Sequence, residues 1–264
     1  MRITRIRPPL IAMLTLALAI TAAAAENPPT EEPKLVLVLS GGGARGIAHI
    51  GVIRVLEELH IAPDLIVGTS MGSIIGGLYA AGWSPDDMEE IVQVIDWEKI
   101  FTDRVDRNDP SFRRKQDDRP VLIQGRLYFE GLKPLMPSGV IRGQRLELAL
   151  RIIEALSPAE SDFDRLPIPY RAVAADIATG EAAVISSGSL ATAMRASMSV
   201  PGALPPVNVD GRELVDGGIA ANLPVGIAQD LGAQKIIAVD ISSPLLEEDD
   251  QRFESFLSIY NHLS

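Results

Sequence analysis

The sequence predicts an α/β fold with a mostly parallel sheet flanked by helices. Two short apolar runs, residues 34–40 (KLVLVLS) and 64–69 (DLIVGT), have the continuous hydrophobicity of strands buried on both faces. Each runs into a glycine-bearing turn and then into apolar residues at helical spacing. Strand, turn, helix, repeated, is the pattern of a parallel α/β sheet. At 264 residues, 47% hydrophobic and 22% charged, the chain is long enough and apolar enough for one domain with a sizeable core.

The elements follow in chain order. Residues 1–25 have the three-part build of a secretory signal: Arg2, Arg5 and Arg7, then an apolar core over residues 10–20, then small residues with Ala23 and Ala25 placed for a cut before Glu26. The apolar run is short for a retained membrane anchor, so cleavage and export are expected. Residues 26–34 read as a polar linker. After the strand at 34–40 come the glycine-rich residues 41–46 and a helix over 47–60. Pro63 resets the chain before the strand at 64–69. A helix over 71–81 closes at Gly82, and another over 85–95 starts behind Ser84 as its cap.

The middle of the chain is different in character. Residues 97–120 are dense in charge and read as a surface excursion, a lid or rim, and residues 113–118 (RRKQDD) lie within it. Apolar residues from Trp97 to Met136 punctuate this charged region. A short strand pair is expected around Gly125 and an amphipathic helix over 144–156. Strands at 170–175 and 182–186 are joined near Thr179-Gly180, and a helix spans 189–198. Strands at 207–209 and 213–215 flank Asp210-Gly211, a strong hairpin signal. The last clear strand is 235–240.

Composition excludes several functions. The formal net charge is −11, and removing the three signal arginines, with no acid among those residues, takes it to −14. That sign repels phosphate backbones and argues against a nucleic-acid partner. It also argues against a broad basic surface docking on anionic lipid, although a local apolar patch remains compatible with a membrane surface. With no cysteine, the chain has no disulfide, thiolate metal site or cysteine nucleophile. His49, His60 and His262 are too scattered to suggest a metal cluster.

Three motifs carry chemistry. The first, Gly41, Gly42, Gly43, Ala44, Arg45 and Gly46, lies between a strand and a helix, where bare backbone approaches a ligand and amides donate to an anion. It reads as an oxyanion hole, as a purely structural turn, or as a dinucleotide fingerprint through Gly41, Gly43 and Gly46. The dinucleotide reading needs an acid about 20 residues on, at the end of the second strand. The acid present, Asp64, stands at that strand's start, which weakens an oxidoreductase assignment. The second motif, Gly68 to Gly72 (GTSMG), fits G-x-S-x-G between a buried strand and a helix, the setting of a nucleophile elbow carrying Ser70. A plain small-residue turn is its alternative. The third, Val215 to Gly218 (VDGG), places Asp216 at a strand end beside Gly217 and Gly218; by itself it also fits a turn aspartate bonded to its own backbone.

Taken together and in this order, the three motifs resemble the patatin-like phospholipase family, over about residues 35–240. The resemblance implies a doubly wound, three-layer α/β sandwich in residues 35–264. It implies a Ser70 nucleophile, Asp216 as proton acceptor, and an oxyanion loop in which Arg45 fills the family's basic position. No cofactor is implied, and the substrate is a phospholipid or other acyl-ester lipid. The minor features resemble the exported bacterial branch, placing the protein in the periplasm, at the outer membrane or outside the cell. Because such domains usually continue further, the fold is expected to be incomplete at its C-terminus. Pro201 and Asn222 are weaker candidates for lining the site. Two other readings stay open: a Ser-His-Asp triad through His262, with His49 a nearer neighbour of the site, and a catalytically inactive lipid-binding or scaffold domain.

Overall fold

A computed structural model describes residues 33–95, 128–130, 133–135 and 143–242. The chain divides into two units, 1–32 and 33–264, and every described residue belongs to the second. The expected signal at 1–25, the excursion at 97–120 and the stretch 247–264 with His262 lie outside the described residues.

Strands β1 (Leu35–Leu39) and β2 (Leu65–Thr69) form where the two apolar runs predict them. They are followed by β3 (Tyr128–Glu130), β4 (Lys133–Leu135), β5 (Tyr170–Asp176), β6 (Ala182–Ile185), β7 (Val207–Val209), β8 (Arg212–Asp216) and β9 (Lys235–Val239). The helices are α1 (Ala48–Glu58), α2 (Met71–Ala80), α3 (Pro85–Val94), α4 (Gln144–Ala155), α5 (Leu190–Ser197), α6 (Gly218–Ala221) and α7 (Val225–Asp230). Ser84 caps α3 through a reciprocal capping box with Asp87, and Ser189 caps α5 by accepting from the Thr192 amide.

The main sheet is mixed. β9, β1, β2 and β5 are parallel neighbours, while β6 and β8 join β5 antiparallel and β7 extends the sheet beyond β8. Strand residues alternate between two cores. Leu37, Leu39, Ile66, Ala172 and Ala174 face one layer, which holds buried residues of α1 to α5. Val36, Val38, Leu65, Val67 and Val173 face the other, with Leu223, Val225, Ile227 and Ala228 around α7. Helices on both faces make the three-layer sandwich. β3 and β4 pair antiparallel in a separate two-stranded sheet; Gly125, around which a short strand pair was expected, lies outside the described residues. Glu130 stands opposite Lys133, which leaves two residues between the strands, the connection length that fixes a hairpin's register.

The register around β5 positions the site. β2 runs parallel along β5 as far as Thr69 opposite Val173. β8 runs antiparallel along β5 and ends with Asp216 opposite Ala174. β6 pairs with Ala172 to Ala175, overlapping both contacts, so it occupies one edge of β5 and β2 and β8 share the other. The carboxyl ends of β2 and β8 therefore meet head to head beside Val173 and Ala174. Strand carboxyl ends are where open α/β sheets place their ligands.

Candidate active site

Ser70 follows β2 directly and starts α2. Its backbone has φ 52° and ψ −120°, a left-handed conformation that for a non-glycine residue costs about 1–3 kcal/mol. The neighbours hold it there. The Ser70 carbonyl accepts from the amides of Ser73 at 3.0 Å and Ile74 at 3.2 Å, the first turn of α2. The Ser70 amide donates to Ser197 Oγ at 2.9 Å. The glycines of the motif serve packing as well as the turn. A Cβ on Gly72 would lie 2.5 Å from the Leu39 carbonyl oxygen and 2.6 Å from that of Ser40, so only glycine lets α2 approach β1 this closely.

Asp216 ends β8 and is 1% exposed. Ser70 Oγ donates to Asp216 Oδ2 at 2.8 Å, across 146 residues of sequence. The other carboxylate oxygen, Oδ1, accepts from the Gly218 amide at 2.7 Å. Donors on both oxygens fix the plane of the carboxylate. The Asp216 amide donates to the Ser199 carbonyl at 2.9 Å, and the Gly217 amide to the Ser197 carbonyl at 3.2 Å. A Cβ on Gly217 would strike the Val173 carbonyl, so the D-G-G sequence meets the head-to-head junction without side-chain obstruction.

The glycine loop lies beside the pair. Gly43–Ile47 forms a 3-10 helix, opened by Gly43 at φ 56°. The first N–H groups of a helix have no acceptor within it, which leaves the amides of Gly42, Gly43 and Ala44 at the open end. The Gly41 amide is already engaged, donating to the Asn222 carbonyl at 3.1 Å. The Gly41 α-carbon is covered by the Asn222 side chain, and a Cβ there would lie 3.2 Å from Ser70 Cβ. Asn222 therefore stands against the loop and close to Ser70. Gly46 is buried against the Met71 side chain, locking the loop onto α2.

His49 is fully buried in α1, with Nε2 at 2.9 Å from the Ser40 carbonyl, so the proton sits on Nε2 and supports the strand end ahead of the glycine loop. Its Nδ1 is buried with no partner among the described residues. Burial moves its pKa down, the Ser40 hydrogen bond opposing more weakly, which keeps the ring neutral. Arg45 is exposed on the 3-10 helix. Pro201 lies just beyond α5, half-buried. Among the described residues, no group of three histidine or acidic side chains is arranged to hold a metal ion.

Sequence reading missed the C-terminal end of α5 and the residues just after it. Ser197 and Ser199 are fully buried and Arg195 is 5% exposed. Arg195 Nη1 donates to Ser199 Oγ at 2.5 Å, and that hydroxyl donates to the Arg195 carbonyl at 2.7 Å. Ser197 Oγ donates to the Val173 carbonyl at 2.5 Å. The available signal was two serines at the end of an otherwise apolar helix face, which a core tolerates only when their hydroxyls are bonded.

A family profile described as patatin-like phospholipase matches residues 37–228, from within β1 to within α7. An uncharacterized NTE family protein of Mycobacterium tuberculosis is 34% identical over 215 residues, covering 81% of this chain and 50% of the relative. Patatin-like phospholipase domain-containing protein 6 of Homo sapiens is 34% identical over 212 residues, 79% of this chain and 13% of that protein. Lysophospholipase NTE1 of Mycosarcoma maydis is 34% identical over 207 residues, 78% of this chain and 10% of that protein. The chain thus spans about half the length of the mycobacterial relative and a smaller share of the others. With its fold, its motif order and these matches in agreement, the chain belongs to the patatin-like phospholipase family.

Proposed function

We propose that this protein is a serine lipid-acyl hydrolase that cleaves fatty-acyl esters through a Ser70–Asp216 dyad. The observation that carries the reading is the 2.8 Å contact from Ser70 Oγ, on a strained strand-to-helix turn, to a buried carboxylate. A hydroxyl donating to a buried carboxylate has its proton acceptor already in place. As Ser70 Oγ attacks the ester carbonyl, its proton passes to Asp216 Oδ2. The negative charge on the tetrahedral intermediate falls to the amides of Gly42, Gly43 and Ala44. The proton then moves to the departing alkoxide, leaving an acyl-Ser70. Water attacks that ester with Asp216 again accepting a proton, and the fatty acid leaves as Ser70 recovers its hydrogen.

The lipid substrate is supported by the family and by the printed name of the fungal relative, a lysophospholipase. Export is supported by the basic start, apolar core and alanine pair of residues 1–25, and it would bring the enzyme to periplasmic or outer-membrane lipid. The direct test is a fluorophosphonate probe on the purified chain, with the modified peptide identified by mass spectrometry. Labelling at Ser70 is the expected result. A folded protein that binds phospholipid vesicles but takes no label at Ser70 is an inactive lipid-binding domain. N-terminal sequencing of protein from the periplasmic fraction is expected to begin at or near Glu26; membrane-bound material starting at Met1 refutes cleavage of residues 1–25.

A further inference from the structure

The two members of the dyad come from different strands, and both are tied to one short segment, residues 197–199. Its hydroxyl at Ser197 accepts from the Ser70 amide at 2.9 Å and donates to the Val173 carbonyl at 2.5 Å. Its carbonyls at Ser197 and Ser199 accept from the amides of Gly217 at 3.2 Å and Asp216 at 2.9 Å. Val173 is the residue of β5 where β2 ends, and Ala174, the next, is where β8 ends. Ser197 therefore stands at the head-to-head junction and touches the backbone on both sides of it. At the far end the segment is clamped by buried Arg195 and Ser199.

We infer that Ser197 is a positioning residue for the dyad: its buried hydroxyl holds the backbone of Ser70 and the junction strand β5 at the separation that lets Ser70 Oγ meet Asp216. The inference rests on the dyad reading above. β2 and β8 share no hydrogen-bond ladder, since each pairs with β5. The distance between their ends is thus set by what bridges them. The Ser70 amide also belongs to a strained residue, so without its acceptor the elbow has less reason to keep φ at 52°. A reacting-group displacement of about 1 Å is enough to lose on the order of 100-fold in rate.

The test compares Ser197→Ala with Tyr170→Phe on the whole chain. Tyr170 is fully buried beneath α2, and its hydroxyl donates to the Ser73 carbonyl at 2.8 Å and meets Ser73 Oγ at 2.6 Å. It removes buried hydrogen bonding of the same kind away from the dyad, so it reports what lost stability alone does to turnover. With a p-nitrophenyl ester, Ser197→Ala is expected to lower kcat at least tenfold with KM within about threefold, and to slow fluorophosphonate labelling of Ser70 by the same factor as kcat. Tyr170→Phe is expected to lower Tm while keeping kcat within twofold. Should Ser197→Ala fail to fold, Ser197→Cys keeps the volume but offers a weak acceptor, and its kcat is expected to fall at least threefold. The inference is overturned if folded Ser197→Ala or Ser197→Cys turns over at the wild-type rate, or if Tyr170→Phe loses kcat as severely as Ser197→Ala. A wild-type protein that takes no label at Ser70 instead overturns the dyad reading itself, so the two failures are distinct.

Discussion

Replacing Asp216 with asparagine separates a proton acceptor from a mere hydrogen-bond partner. Asparagine keeps the shape, and the surroundings dictate how its amide sits. The Gly218 amide points at Oδ1 from 2.7 Å and needs an acceptor, so the asparagine oxygen takes that place. The NH2 group is then turned toward Ser70 Oγ, where Oδ2 stood at 2.8 Å. The hydroxyl must now accept instead of donate, and the carboxylate that took its proton is gone. Loss of a catalytic member in serine hydrolases costs about 10⁴-fold in kcat, equivalent to about 5.4 kcal/mol of barrier at 1.36 kcal/mol per decade. The assay is kcat on a p-nitrophenyl ester, with the fold checked by circular dichroism and Ser70→Ala as the floor. Asp216→Asn is expected within tenfold of that floor, while His49→Gln and His262→Ala each retain most activity. An Asp216→Asn enzyme keeping more than about a tenth of wild-type kcat refutes the argument. If His262→Ala abolishes turnover and Asp216→Asn merely weakens it, a triad replaces the dyad.

Gly72→Ala is expected to destabilise by about 1–3 kcal/mol, because its Cβ meets the fixed carbonyls of Leu39 and Ser40. Gly51→Ala, in α1 with open space around the added carbon, is expected to gain about 0.5–1 kcal/mol; urea denaturation reads both. His49 links stability to acid: burial lowers its pKa in the fold, while the unfolded chain takes up a proton near the ordinary value of 6.5. Below that pH the unfolded state binds more protons, so stability falls as pH drops from 6.5 toward the folded pKa, at up to about 1.4 kcal/mol per pH unit, and is flat above. His49→Gln should remove its share of that slope, seen as parallel urea midpoints at pH 7.5 and 5.5. Long-chain acyl esters in micelles are expected to give higher kcat/KM than short water-soluble esters, and the reverse order refutes the lipid assignment.

What the sequence made legible was local. Leu35–Leu39 and Leu65–Thr69 announce themselves because a strand buried on both faces needs unbroken apolar residues. Asp210-Gly211 announces its hairpin because a two-residue turn wants positive φ, and the two residues adopt 51° and 80°. The G-x-S-x-G and D-G-G motifs located Ser70 and Asp216 as candidates. What brings them together was not legible, because it depends on which edge of β5 takes β8, and no local pattern encodes an edge. Ser197 was hidden for the same reason: its partners at residues 70 and 173 are distant in sequence, and within its own helix it reads as one more small residue. α7 went unread since six residues after Pro224 are too few to show a helical period.

The junction on β5 also governs the order of events in folding. In synthesis Ser197, which accepts from the Ser70 amide, and Asp216, which lies 146 residues after Ser70, both follow β1, β2 and β5. The pair comes together when β8 docks on β5 with Asp216 opposite Ala174, a non-local pairing that follows the local turns and helices. No nascent or partly folded species with only the first half of the sheet has a working pair. On the proposed reading, a chain still being made has no acceptor in place for the Ser70 proton until β8 has docked.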